Sequence, residues 1–250
     1  MIEPRALCDY CDTLLDAAAF ADYAPNGLQV EGTRPVVRLA TGVTASLALI
    51  EAACEFGADA ILVHHGWFWK GENPCLIGPR GRRVRRLIES GASLLAYHLP
   101  LDAHPTLGNN ATLAARLGIR DARPAEREGG LLWTGRLERP LSAADWAAQV
   151  SQTLGRVATL VADGQRTVER LAWCTGGGQG RIEAAASLGV DAFLSGEISE
   201  QTTHLARELG IAFLAAGHHA TERDGVAALG QRLAQQFALE HRFIDIGNPA

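Results

Sequence analysis

Cysteine is scarce and unpatterned: five residues, at positions 8, 11, 54, 75 and 174, odd in number and scattered over the chain. That excludes a disulfide framework of the kind small secreted domains use. Cys8 and Cys11 form a C-x-x-C without a second copy, in an amphipathic stretch where buried thiols behave as small hydrophobes. No apolar run approaches the roughly 18 residues that would span a bilayer, and mean hydropathy is near zero. A positive charge excess is also missing. The net charge is −5, which argues against nucleic acid as a partner. The one basic cluster, PRGRRVRRL (79–87), reads as the solvated face of a helix start. The first residues, MIEPRALCDYCDTLLDAAAF, begin with acids and lack a basic n-region, so no signal peptide is expected and a cytoplasmic location is.

What is present is a chain of 250 residues, 47% hydrophobic and 20% charged, ample for a core without staples. Short apolar runs alternate with amphipathic stretches, which predicts an α/β fold. The predicted strands lie at 36–43, 59–65, 93–99, 131–137, 158–163, 170–176, 191–197, 211–217 and 242–246. The predicted helices lie at 4–19, 45–56, 80–90, 109–117, 142–154, 179–188, 199–209 and 222–237. The last places Val226, Leu229, Leu233 and Phe237 on one face.

A shift of 132 residues lays LATGVTASLALIEAACEFGADAILVHH (39–65) on LAWCTGGGQGRIEAAASLGVDAFLSGE (171–197) without a gap, with ten of 27 positions identical. This predicts two similar α/β domains related by internal duplication, a first half over 1–125 and a second over 126–250, the C-terminal segment packing back on the first. In open α/β sheets ligands collect beyond the carboxyl ends of the strands. Those ends carry His64, His65, His98 and Asp102 in the first half, and Glu197, His218, His219 and Glu222 in the second. The symmetry gathers scattered residues into one candidate site in the cleft between the halves.

Neighbouring residues on a regular strand point to opposite faces. His64 and His65 can serve one site only where the strand gives way at Gly66. Imidazole with carboxylate, without thiolate, suits Zn, Fe, Mn, Co or Ni. His218 and Glu222, four apart, project from one face at a helix start, and Asp102 can bridge through its two oxygens. A lone histidine would more often be a hydrogen-bonded core residue; two pairs with matched carboxylates favour metal. His104 and His241 lack a partner pattern and are expected at the surface, while His204 lies mid-helix as a core or supporting residue. The glycines of CTGGGQG (174–180) fit a tight strand-to-helix turn as well as a phosphate cradle. Trp67, Phe68 and Trp69 could face a planar substrate, but pocket wall or subunit interface is the commoner use.

NGLQVEG (26–32), VHHGWFWKGE (63–72), YHLPLDAHPTLGNNATLAARLGI (97–119), DAFLSGEISEQTTHLARELGI (191–211) and AAGHHATERDGVAALG (215–230) together resemble the YbgI-like dinuclear-metal family, the GTP cyclohydrolase 1 type 2 homologues. The resemblance runs from the N-terminal helix to the final FIDIGNPA. It implies two divalent metal ions per subunit and a homohexamer built as a trimer of dimers. It also implies metal ligands at His64, His65, Asp102, His218 and Glu222. His98 and His219 become supporting or proton-shuttling candidates, and Glu197 and Trp67 substrate-facing ones. The function implied is a hydrolase using metal-activated water on a small molecule, with nucleotide ring opening as the reaction the family label suggests. The alternative is a non-enzymatic metal-binding ring for storage, delivery or scaffolding.

Overall fold

The computed structural model describes residues 1–126 and 129–250. In chain order the elements are α1 (Pro4–Leu15), β1 (Gly27–Val30), β2 (Arg38–Thr44), α2 (Leu47–Phe56), β3 (Ala60–His65), α3 (Gly78–Ser90), β4 (Ser93–Ala96), α4 (Leu99–Ala103), α5 (Asn109–Leu117), β5 (Arg120–Pro124), β6 (Trp133–Ser142), α6 (Ala143–Leu154), β7 (Thr159–Val161), β8 (Thr167–Cys174), α7 (Ile182–Ser187), β9 (Ala192–Ser195), α8 (Glu200–Glu208), β10 (Ala212–Ala215), α9 (His218–Phe237) and β11 (Glu240–Phe243). They form a mixed α/β fold with two sheets, ordered β1-β4-β3-β2-β11 and β5-β6-β8-β9-β10-β7.

Two compact units divide the chain. One comprises Met1–Leu101 with Val226–Ile246, the other Asp102–Gly225 with Gly247–Ala250. The change-over falls at Leu101/Asp102 and again at Gly225/Val226. α5 belongs with the second unit because its Leu113, Ala114 and Leu117 pack with Trp133, Trp146 and Leu171 in that core.

In the first unit, residues alternate along β3 between two apolar layers. Ala60 and Leu62 face Leu7, Cys11 and Leu15 of α1 and Val226, Leu229 and Leu233 of α9. Ile61 and Val63 face Leu49, Ile50 and Ala53 of α2 and Val84 and Leu87 of α3. Covered on both faces, parallel strands read as continuous apolar runs, which is why β2 and β3 stand out in the sequence. Cys11 is fully buried in this core, and burial pushes its thiol far above the usual range. In the second unit Leu171, Trp173 and Leu194 meet α5 and α6, while Ala172, Phe193 and Phe213 meet α7 and α8.

The parallel ladders share a register. Leu39 pairs with Ala60 in the first sheet and Leu171 with Ala192 in the second, each 132 residues further along. The same aspartate fastens both. Asp59 Oδ2 accepts the Val37 and Arg38 N–H groups at 3.0 and 2.9 Å. Asp191 Oδ2 accepts those of Glu169 and Arg170 at 3.2 and 2.8 Å. In the shared G-x-D-A-x-L pattern the aspartate therefore ties the start of one strand to its neighbour, satisfying main-chain donors. Helix starts follow local chemistry. Ser46 and Ser142 accept N–H groups of α2 and α6, and Ser199 with Thr202 makes a capping box on α8.

Several expectations shift. The predicted helix over 4–19 ends at Leu15, where Asp16 takes a left-handed conformation, and a 3-10 turn covers Ala17–Ala19. The predicted 179–188 segment opens with a 3-10 turn, Gly178–Arg181. α9 starts at His218, four residues before the expected 222. Strands β1 and β5, both antiparallel to their neighbours, were not predicted. Among the described residues no helix is long and apolar enough to cross a membrane.

Candidate metal centre

In the first unit three histidines converge where β3 and β4 end. His64 is fully buried, His65 partly, and His98 is 7% exposed. Although His64 and His65 are consecutive strand residues, their ring centroids lie 4.5 Å apart. His98 stands 5.1 Å from the first and 5.7 Å from the second. One ligand atom from each of the three falls within 4.8 Å of the others. Gly66 follows directly, at a place with no room for a side chain: a Cβ there would overlap the Gln29 side chain and sit 2.6 Å from Ala96 Cβ.

Each of these rings is held through Nδ1. His64 Nδ1 donates to the Tyr97 carbonyl at 2.9 Å, His98 Nδ1 meets Asp22 Oδ1 at 2.9 Å, and His65 Nδ1 meets Thr44 Oγ1 at 3.3 Å. Metal-ligating histidines are oriented in this way, with the other nitrogen turned to the ion. Asp22 is the residue that inspection of the sequence missed. Beyond His98 it accepts the Tyr23, Ala24 and Leu99 N–H groups and the Asn26 side-chain amide, at 2.7, 3.3, 3.0 and 3.1 Å. Asn26 Oδ1 in turn accepts the His98 N–H at 2.8 Å. Burial opposes ionisation of Asp22, but the hydrogen bond and charge of His98 outweigh it and hold the carboxyl well below the usual range.

In the second unit Asp102, on α4, is 7% exposed. Its Oδ1 accepts the Asn109 amide at 2.7 Å and the Thr175 hydroxyl at 3.2 Å. Asn110 binds the Asp102 carbonyl at 3.1 Å. These contacts account for the two asparagines of GNNATLAARLGI. His218 opens α9 with Nδ1 on Glu197 Oε1 at 2.7 Å and Nε2 at 3.2 Å from Glu222 Oε2. Glu222 is 2% exposed. Glu197 thus orients His218, while its second oxygen accepts from Gln179 at 3.3 Å. The glycine run proves to be a close-fitting turn beside these side chains: Gly176 is at φ 61°, and a Cβ there would overlap Glu222 and come within 3.0 Å of His218 Nε2.

Other histidines are accounted for differently. His104 Nδ1 accepts the Leu107 N–H at 3.0 Å in its own turn, and His204 is exposed on α8. His241, expected at the surface, bonds the Thr41 hydroxyl at 2.9 Å. His219 is 8% exposed, with its main-chain N–H on the Ala250 carbonyl at 3.3 Å. Trp67 is packed in the core, 4% exposed, its indole donating to the Ala45 carbonyl at 3.0 Å. Of the three consecutive aromatics, the one turned toward the histidines is Trp69, 5.0 Å from His98 and 5.9 Å from His65.

Burial alone would keep His218 neutral, but the hydrogen bonds and charges of Glu222 and Glu197 outweigh it and raise its pKa to about 9. A raised pKa means that this pairing stabilises the metal-free fold in full below about pH 6.5 and is lost as pH climbs through about 9. A proton on Nε2 competes with a metal ion. Zinc affinity, measured by competition with a chromophoric chelator, is therefore expected to rise between pH 7 and about 9 and then level. A flat profile would contradict this.

The family model for Duf34/NIF3 (NGG1p interacting factor 3) matches residues 3–249. A GTP cyclohydrolase 1 type 2 homolog of Allochromatium vinosum is 66% identical, covering 100% of this chain and 98% of its own length. The Pseudomonas aeruginosa protein of the same name is 55% identical over 98% of this chain and 97% of its own. Among solved structures, the protein ybgI, described as of unknown function, matches with a TM-score of 0.95 and 48% identity over 100% of both chains. TTHA1606 from Thermus thermophilus matches with 0.89 and 33%, again over 100% of both. The chain belongs to the DUF34/NIF3 family.

Proposed function

We propose that this protein binds two divalent metal ions through His64, His65, Asp102, His218 and Glu222 and works as a metal-dependent hydrolase. The observation that carries the reading is the Nδ1 pattern: His64, His65 and His218 each have Nδ1 against an oxygen, the arrangement that turns Nε2 of a metal-binding histidine toward its ion. The donor set fits a borderline divalent ion, since it offers imidazole and carboxylate together. When bound, such ions supply Lewis acidity and water activation at neutral pH.

The chain's own groups supply the rest. Asp22 fixes His98 so that Nε2 is the atom left to take up and release a proton. His219, the other shuttle candidate, is held at the main chain beside His218. Asn109 and Thr175 orient Asp102, and Glu197 orients His218. The relatives' name supports a ring-opening hydrolysis of a nucleotide as the first reaction to try. Internal duplication belongs to the same proposal, supported by the shared register and the repeated aspartate clip. So do the homohexamer and a cytoplasmic location.

The test begins with elemental analysis of the purified protein, followed by turnover assays on GTP, other nucleotides, cyclic amides and phosphoesters. Two ions per chain are expected, with turnover that vanishes in Asp102→Ala. A metal-replete protein that turns over nothing and yields its ions readily to a chelator would favour storage or delivery instead.

A further inference from the structure

The segment Gly66–Trp69 is built with more care than a connecting loop requires. Gln29 grips the main chain of Trp67 from both sides, accepting its N–H at 2.7 Å and donating to its carbonyl at 3.1 Å. Phe68 adopts φ 66°, a left-handed conformation rare for a bulky residue and characteristic of segments held by their surroundings for a task. The reversal separates three consecutive aromatics. Trp67 enters the core, Phe68 is 40% exposed beneath the Arg80 guanidinium at 5.4 Å, and Trp69 folds back so that its indole N–H donates to the Gly66 carbonyl at 3.2 Å. The Lys70 N–H then binds the Tyr23 carbonyl at 2.8 Å, tying this loop to the one that carries Asp22.

The result is a pair of aromatic rings beside the histidines. Tyr23 and Trp69 lie 5.7 Å apart at a shallow 36°. His98 meets both nearly perpendicularly, at 73° and 79°. Tyr23 is 54% exposed, although its backbone is pinned by Asp22 and Lys70. A pinned aromatic pair, Tyr23 exposed and Trp69 half-buried, set against a cluster of imidazoles offers a ligand two chemistries at once: aromatic surface and, next to it, polar coordinating groups.

We propose that Tyr23 and Trp69 form a preorganised stacking wall for a planar conjugated ring, a fused nitrogen heterocycle above all, whose polar edge is presented to His65 and His98. The wall deepens the hydrolase reading and rests on its metal site, selecting the substrate by flatness. Its rigidity lowers the entropic cost of binding, and stacking tolerates many heterocycles because each has a π-face.

The probe is 2-aminopurine riboside, whose emission is quenched on stacking against an indole, titrated into metal-loaded and metal-stripped full-length protein, with ribose as the control lacking a ring. Saturable quenching is expected with loaded protein. Trp69→Ala should weaken it at least about tenfold and Tyr23→Ala several-fold, while Trp69→Phe retains most of the affinity. Metal content per chain should match the wild type in all three. Equal affinity in Trp69→Ala, binding of ribose that rivals the nucleoside, or no saturable quenching by loaded protein would overturn the wall. So would a Trp69→Ala variant that changes oligomeric state and leaves the titration unaltered, since the ring would then serve a subunit contact. Tryptophan-dependent quenching by a protein that takes up no metal would sink the metal reading and leave the wall standing.

Discussion

Gly176→Ala is expected to abolish most metal binding and to destabilise the fold by about 3 kcal/mol or more. The glycine is at φ 61°, a conformation that costs any residue with a Cβ about 1–2 kcal/mol. The added methyl would overlap Glu222 Oε1 and come within 2.9 Å of Glu222 Cδ and 3.0 Å of His218 Nε2. The turn cannot retreat easily. The Gly176 N–H binds the Thr221 hydroxyl at 3.0 Å, and its carbonyl accepts from the Gly196 N–H at 2.9 Å and the Ser195 hydroxyl at 3.2 Å. Glu222, almost wholly buried, must therefore leave its place beside His218. The check is metal per chain after dialysis together with the urea midpoint. Gly180→Ala in the same glycine run, where a Cβ meets nothing within 4 Å, should behave as wild type. Wild-type stoichiometry and midpoint in Gly176→Ala would refute this account of the turn.

The second large effect is expected from Asp22→Ala, at a residue that touches no proposed metal. Its carboxylate gathers three main-chain N–H groups, one side-chain amide and the His98 ring. Deleting it strands several of these donors where water is scarce, at a cost of about 3 kcal/mol. The ring of His98 loses its orientation, and with it the placement of the nitrogen proposed to shuttle protons, so turnover should fall about 100-fold or more. Asp22→Asn separates the two effects. An amide can still accept from His98, but its NH₂ would face the Asn26 amide and Leu99 N–H, which now bind Oδ2. It should therefore lose stability while keeping more of the turnover. Because the carboxyl is held below the usual range, its contribution is present above about pH 4 and fades as the pH falls further. The wild type should show that acid-side loss, and Asp22→Ala should lack this part of it. An alanine variant with an unchanged midpoint and turnover would mean that Asp22 supports neither the fold nor the placement of His98.

How far the chain announces its structure depends on what each element buries. β2, β3, β8, β9 and β10 lie in the middle of their sheets and read as apolar runs. β5, RDARP, is exposed at every position and contains a proline, so nothing apolar marks it. β1 is four residues long and only half-buried over most of its length. The histidines and carboxylates are visible by type, because few residues do that chemistry and they fall at strand ends. Their holders are not. His64 is fixed by a main-chain carbonyl, which every residue possesses, and His98 by an aspartate 76 positions away. The aromatic triplet shows the same limit: residue type cannot say which of Trp67 and Trp69 faces the histidines, since the left-handed turn at Phe68 decides it.

β11 has a consequence for how the molecule is made. It pairs in parallel with β2, Glu240 beside Arg38 and Phe243 beside Thr41, so a strand synthesised early waits for a partner that emerges only after every strand of the second sheet. Until then one edge of β2 has no strand beside it, and bare edges recruit foreign strands. The second sheet takes all its strands from the stretch Arg120–Ala215 and can close as that stretch emerges. A nascent chain halted before residue 240 would thus carry one complete sheet and one adhesive margin, making late translation the interval when a chaperone matters most.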